Sequence, residues 1–234
     1  MSGHSKWKQI KHKKGAADAK RSSQFTRLAH AITIAAKTGK GLDIAIEQAK
    51  KYNMPKDNID RAVKRGTGGL AGGEIIQTQY EAYGPAGVGV IIQVFTDNKN
   101  RAISEIKSML NKYGGKLAEG GAVSYLFEKK GVVELKKEGQ TLSGEDLEMV
   151  VIESGANDYT VVDDIIYVYT NPKDLDVVKK ALEFKSLKVE NACLEMVPQN
   201  TIAIAEDKKD SVIKLLEALE ELDDVEEVFT NAEL

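Results

Sequence analysis

Cysteine is nearly missing from this chain of 234 residues; Cys193 stands alone, so no intrachain disulfide can staple the fold. A reducing, cytoplasmic setting is the expectation that follows. Long apolar runs are missing as well. None approaches the roughly 18 residues a membrane-spanning helix needs, and no membrane partner is expected. Residues 1–14 are cationic but lack the apolar stretch of a secretory leader. Histidine is scarce: His4, His12 and His30 fall in no Cys/His spacing that builds a zinc site, so neither metal nor other cofactor is expected. What remains is 42% hydrophobic and 29% charged, enough for an ordinary core.

The charge is unevenly spread. Residues 1–65 hold sixteen Lys and Arg against five acids, a net of +11, and the remainder carries −14, which together make the −3 of the chain. Such a split suggests a polyanion-binding head on an acidic body. The cations concentrate in Lys6, Lys8, Lys11, Lys13 and Lys14, followed by Lys20 and Arg21. Clustered cations neutralise phosphates and release condensed counterions, which favours nucleic acid without sequence preference. Trp7 and His12 lie among them; the indole can stack on an exposed base or hold the arm to the body. Lys64 and Arg65 either extend the basic patch or complement a helix dipole.

Apolar periodicity then sets out the elements. Phe25, Leu28, Ile32 and Ala35 recur at helical spacing, with Ser22 or Ser23 as cap and Gly39 as stop. Leu42, Ala45, Ile46 and Ala49 predict a second helix. Pro55 and Asp57 open a third that ends at Gly66, completing a small bundle. Arg65 to Gly73 reads as a flexible linker. Beyond it the period changes to two: strands are expected over 75–80, 88–95 and 123–127, with a helix around Ile103–Leu110 and a turn over 128–131. From Val132 to about Asn200 the order is βαββαβ, the ferredoxin-like arrangement. A tail helix and the strand Val225–Phe229 cannot bury their faces alone, so they are expected to complete the sheet begun at Ile75. The predicted fold class is a multidomain α+β protein. Residues 1–73 form arm and bundle, 74–131 with 201–234 a discontinuous α+β domain, and 132–200 a ferredoxin-like insert.

Other motifs lead less far. Gly66-Thr67-Gly68-Gly69 follows a helix and precedes a strand, the reverse of a phosphate loop, and reads as a hinge. Cys193 reads as core packing, and the carboxylates, Glu128 and Glu134 among them, as scattered solvated charge. Tyr167 and Tyr169 share one face of a strand. RNA-recognition sheets place stacking aromatics there, but Asp163 and Asp164 beside them favour plain packing. No constellation supports catalysis or a small-molecule substrate, and the expectation is a non-enzyme.

Several blocks in order carry a resemblance across the whole chain: Gly3-His4-Ser5-Lys6-Trp7, Asn53-Met54-Pro55-Lys56-Asp57-Asn58-Ile59, Lys64-Arg65-Gly66-Thr67-Gly68 and Tyr83-Gly84-Pro85. Thr96-Asp97-Asn98-Lys99-Asn100-Arg101, Phe127-Glu128-Lys129-Lys130-Gly131 and Asn231-Ala232-Glu233-Leu234 continue it. The chain resembles the YebC/PmpR family. That resemblance implies three domains of the kinds just described and a cytoplasmic transcriptional regulator that binds DNA. It also implies kinship with mitochondrial translational activators and with bacterial members linked to the ribosome. Between Thr38 and Ala45 this chain is several residues shorter than the family pattern and lacks the Asn-Pro-Arg-Leu-Arg stretch that opens the second helix.

Function is therefore expected to be nucleic-acid-binding regulation of gene expression, with DNA as the first target. A translation factor that grips ribosomal RNA is the rival. A third reading is a scaffold whose acidic domains meet a protein partner.

Overall fold

The computed structural model describes Trp7 and residues 19–39, 41–70, 74–138, 140 and 144–234; within these, the side chains of 19–23 lie outside the description. Three helices come first: α1 (Ala19–Thr38), α2 (Leu42–Lys51) and α3 (Lys56–Gly66). Each buries the stripe its periodicity marks. Ile32, Ala49, Met54, Ile59 and Ala62 form a shared core, with Phe25, Leu28, Leu42 and Ile46 packed against it. Asn53 enters α3 at φ 56°, a left-handed conformation that asparagine tolerates, and Pro55 sits at the N-cap of α3.

Gly66 does more than end α3. A Cβ there would lie 2.3 Å from the Thr33 carbonyl oxygen and 2.7 Å from Ala36 Cβ. Its missing side chain is what lets α3 close against α1. The glycines that follow cap the helix rather than forming a free linker. Thr67 N–H donates to Val63 O, Gly68 N–H to Arg65 O and Gly69 N–H to Lys64 O. With those amides spent on helix carbonyls, this segment is not a phosphate cradle.

A four-stranded sheet follows in the order β3-β1-β2-β9, from β1 (Ile76–Tyr83), β2 (Gly89–Thr96), β3 (Lys116–Ala118) and β9 (Val225–Thr230). Strand β1 alternates along most of its length, whereas β2 is buried at all but one position. The reason is that β2 has α1 on it as well as α4 (Lys99–Lys112). A strand covered on both faces reads as a continuous apolar run. Helix α7 (Glu206–Glu220) packs beside α4.

The second sheet has the order β5-β6-β4-β7, from β4 (Phe127–Lys136), β5 (Asp158–Val162), β6 (Ile165–Thr170) and β7 (Val189–Pro198), with antiparallel neighbours throughout. With α5 (Glu145–Glu153) after β4 and α6 (Leu175–Phe184) after β6, this is the ferredoxin-like βαββαβ topology. The sequence placed a strand over 123–127 and a turn over 128–131. Instead Ser124–Leu126 is a 3-10 turn, and 127–136 is one strand. Gly131 lies inside it because the strand needs room: a Cβ would sit 2.6 Å from Thr170 Cγ2 and 3.1 Å from Leu175 Cβ. Helical faces of α5 and α6 fill one side of the sheet with Leu147, Val151, Val178 and Leu182. Tyr167 and Tyr169 are buried on the other with Val132, Val162 and Val197, as packing residues. Two sequence readings need correction here. Glu134 and Glu195 are not solvated but buried, at 4% and 3% exposure. Cys193 is not core; it is half-buried, with Sγ donating to Glu195 Oε1 at 3.1 Å.

A two-residue parallel pair, β8 (Ile202–Ala203) with β10 (Ala232–Glu233), closes the tail. The chain forms two compact units. One holds residues 13–124 and 204–228, hence the bundle and the first sheet; the other holds 125–203 and 229–234 together with Trp7. Among the described residues no helix is long and apolar enough to cross a membrane.

Candidate nucleic-acid interface

Of the residues read from sequence as a basic patch, Lys6, Lys8, Lys11, His12, Lys13 and Lys14 lie outside the described residues. Lys20 and Arg21 are in the first turn of α1, with their side chains undescribed. Trp7 is helical and only 1% exposed. Its ring is therefore not displayed for stacking on a base.

Lys64 and Arg65 part company although they are neighbours. Lys64 is exposed on the last turn of α3. Arg65 is half-buried and turns toward Asp97, with Nη2 3.8 Å from Oδ2. Asp97 also takes a hydrogen bond from Arg101 Nη2 at 3.1 Å, one helical turn on. Arg101 in turn grips Asp224 through both Nε and Nη2, at 3.0 and 2.8 Å. A fork on a carboxylate is the strong, directional form of ion pair. The Asp224 side chain is 5% exposed, and its carbonyl accepts from Phe95 N–H at 2.9 Å. Asn98 caps α4 by accepting from the N–H groups of Asn100 and Arg101, both at 3.1 Å. The Thr96–Arg101 block is thus architectural: it joins β2, α4, α3 and the turn before β9 within one unit. Arg27 on α1 reaches the carbonyl oxygen of Glu220 at the end of α7.

His30, set aside at the sequence level, sits in this neighbourhood. Burial pushes its imidazole below the usual histidine range, with the Asp224 and Asp97 charges working against the shift and Arg65 working with it. Nδ1 is buried with no hydrogen-bond partner among the described residues. Nothing local in the sequence announces such a site, because its partners come from three distant segments.

Beside His30, α1 and α3 flank an open groove of about 370 Å³. Thr26, His30 and Thr33 recur along α1 at one-turn and two-turn spacing, and Asn58, Arg61 and Arg65 do so along α3. Phe25, Ala29, Met54 and Ala62 supply the apolar part. Arg61 and Lys64 are exposed, and neither forms an ion pair among the described residues. A second concavity, of about 420 Å³, lies in the βαββαβ unit and is walled largely by Leu147, Val151 and Ile166 of its core.

The fold and this basic bundle define a class: a three-helix head on an α+β sheet domain, interrupted by a ferredoxin-like insert. The chain belongs to the TACO1/YebC family. Residues 5–69 match the model of the TACO1/YebC protein N-terminal domain, and residues 75–232 that of the TACO1/YebC second and third domain. A relative from Desulfosudis oleivorans is 45% identical over all of this chain and 97% of its own length, and one from Thermotoga maritima is 45% identical over all of this chain and 94% of its own. Both bear the name "Probable transcriptional regulatory protein". A crystal structure of a conserved hypothetical protein from Aquifex aeolicus superposes with a TM-score of 0.84 at 42% identity, covering 92% of this chain and 91% of that one.

Proposed function

We propose that this protein is a cytoplasmic, non-enzymatic regulator of gene expression. It binds nucleic acid through its basic N-terminal arm, supported by the exposed cations of α3. The observation that carries the reading is the charge separation: +11 over residues 1–65 on a chain of net −3. Arg61 and Lys64 are left exposed and outside the ion pairs that occupy Arg65 and Arg101. The relatives' printed name supports transcription, and so DNA, as the setting. The rival setting is ribosomal RNA, which the same charge would grip equally well.

Competition between a duplex promoter fragment and ribosomes at matched salt separates the two. The intact chain and a Lys11→Glu, Lys13→Glu, Lys14→Glu variant are compared. The expected result is preferential retention on the promoter fragment, abolished by the triple charge reversal. Affinity should fall linearly on logarithmic axes with added salt, by about 0.9 per phosphate contacted. Sedimentation with ribosomes, together with only salt-labile and sequence-indifferent DNA affinity, would transfer the protein to translation. Unchanged binding by the charge-reversed variant would end the arm-based reading in both settings.

A further inference from the structure

We propose that the groove between α1 and α3 seats one unpaired nucleotide of the bound strand, its base against Phe25 and Met54 and its phosphate on Arg61. This rests on the nucleic-acid reading above and adds to it where contact occurs and in what form the strand is held.

The polar side chains along the groove fall into two groups. Some are committed to the fold: the Thr33 hydroxyl lies 2.7 Å from Ala29 O and 3.2 Å from Ala62 O, and Arg65 faces Asp97. Others are not. The side chains of Asn58 and Arg61 make no hydrogen bond or ion pair among the described residues, and neither does His30 Nδ1. Exposed or half-buried polar side chains that the fold leaves uncommitted along a groove are the ones able to bond a ligand that enters it.

An amide that both donates and accepts and a guanidinium, both beside an apolar floor, match a nucleotide group by group. The amide can read a base edge, the guanidinium can take a phosphate, and the floor can take a π-face. The volume of about 370 Å³ is in the range of small-ligand sites. A base inside a duplex cannot enter such a groove without leaving its stack, whereas unpaired strands offer bases already splayed out. The groove thus confers a preference for unpaired segments, on top of an arm that is indifferent to strandedness.

The test uses the full chain and a short labelled single strand of DNA, alone or annealed to its complement, at one salt concentration. Wild type is compared with Arg61→Ala, Asn58→Leu and, as a control outside the groove, Lys64→Ala. Arg61 is exposed and Asn58 half-buried, and a thermal melt checks that each variant is folded. The expected result is single-strand affinity about tenfold above duplex affinity in wild type. Asn58→Leu should remove most of that margin while leaving duplex affinity within about twofold, and Arg61→Ala should weaken both probes but the single strand several-fold more. Lys64→Ala should weaken both probes alike. Equal losses on both probes from the groove variants, or no loss at all, would overturn the seat and leave the arm reading standing. Failure of wild type to hold either probe would overturn both.

Discussion

At Glu81, burial and hydrogen bonding pull on the same proton in opposite directions. The residue is 7% exposed, and loss of water by itself raises a carboxyl's affinity for protons. Yet the N–H groups of Gly121, Val123 and Ser124 all donate to it, at 2.9, 2.6 and 2.8 Å, and they outweigh burial. The net result is a carboxyl held below its ordinary value of 4.5. One charge thereby orders the loop between β3 and β4. The sign follows from the depression: the unfolded chain takes up the proton first as acid is added. The stabilisation is complete above the ordinary glutamate range and lost as pH falls through the lower, folded value. Glu81→Gln turns an amide donor toward donors and should cost about 1–3 kcal/mol at neutral pH. Urea midpoints of the two proteins at neutral pH and near pH 3 check this, and the gap should narrow in acid. A gap that does not change with pH would remove the charge from the explanation. None of this was legible in the sequence, where Glu81 is one acid among 36 Asp and Glu and its partners lie some forty positions away.

Helices were the most readable elements, because each carries a full apolar stripe at helical spacing and a recognisable stop. Gly39 does end α1 in a left-handed turn at φ 68°, and Pro55 does precede α3. Strand β3 was missed because three residues between glycines and a short loop leave no period to detect. Gly131 reads in sequence as a turn signal, whereas its role is close approach, which only the neighbouring Thr170 and Leu175 reveal. The basic arm was visible as composition, whereas the α1–α3 groove was not, since it exists only when two helices dock. Gly66 sets that docking. Gly66→Ala gains up to about 1 kcal/mol of helix propensity. Against that, a methyl 2.3 Å from a backbone oxygen must push the helices apart, at about 1–3 kcal/mol. The clash wins, since backbone cannot swing aside, and a fall in Tm of several degrees is expected by calorimetry. A raised Tm would show that the two helices are not held at contact distance.

For the molecule as a whole, the telling feature is that β2 takes β1 on one side and β9 on the other, although β9 lies far along the chain. Strand β9 buries Val225, Val228 and Phe229, so its loss uncovers both apolar surface and a row of unpaired backbone groups. Deleting residues 225–234 should leave the βαββαβ unit with its own core while the first sheet becomes association-prone. Sedimentation velocity would show concentration-dependent aggregates, and hydrogen exchange would show lost protection confined largely to β1, β2 and α4. A monomeric deletion variant with β2 still protected would mean that β9 contributes little to that sheet.

The order of the elements also has a temporal side. On the ribosome, every residue of the βαββαβ insert is polymerised after β2 and before β9. At usual elongation rates that interval is on the order of ten seconds. Throughout it, the growing polypeptide carries a finished insert and a half-built sheet whose central strand is open to any passing partner. A translation stall or a nonsense codon in this stretch would yield a product that looks folded in one part and is adhesive in another, the kind of species on which chaperones and proteases act.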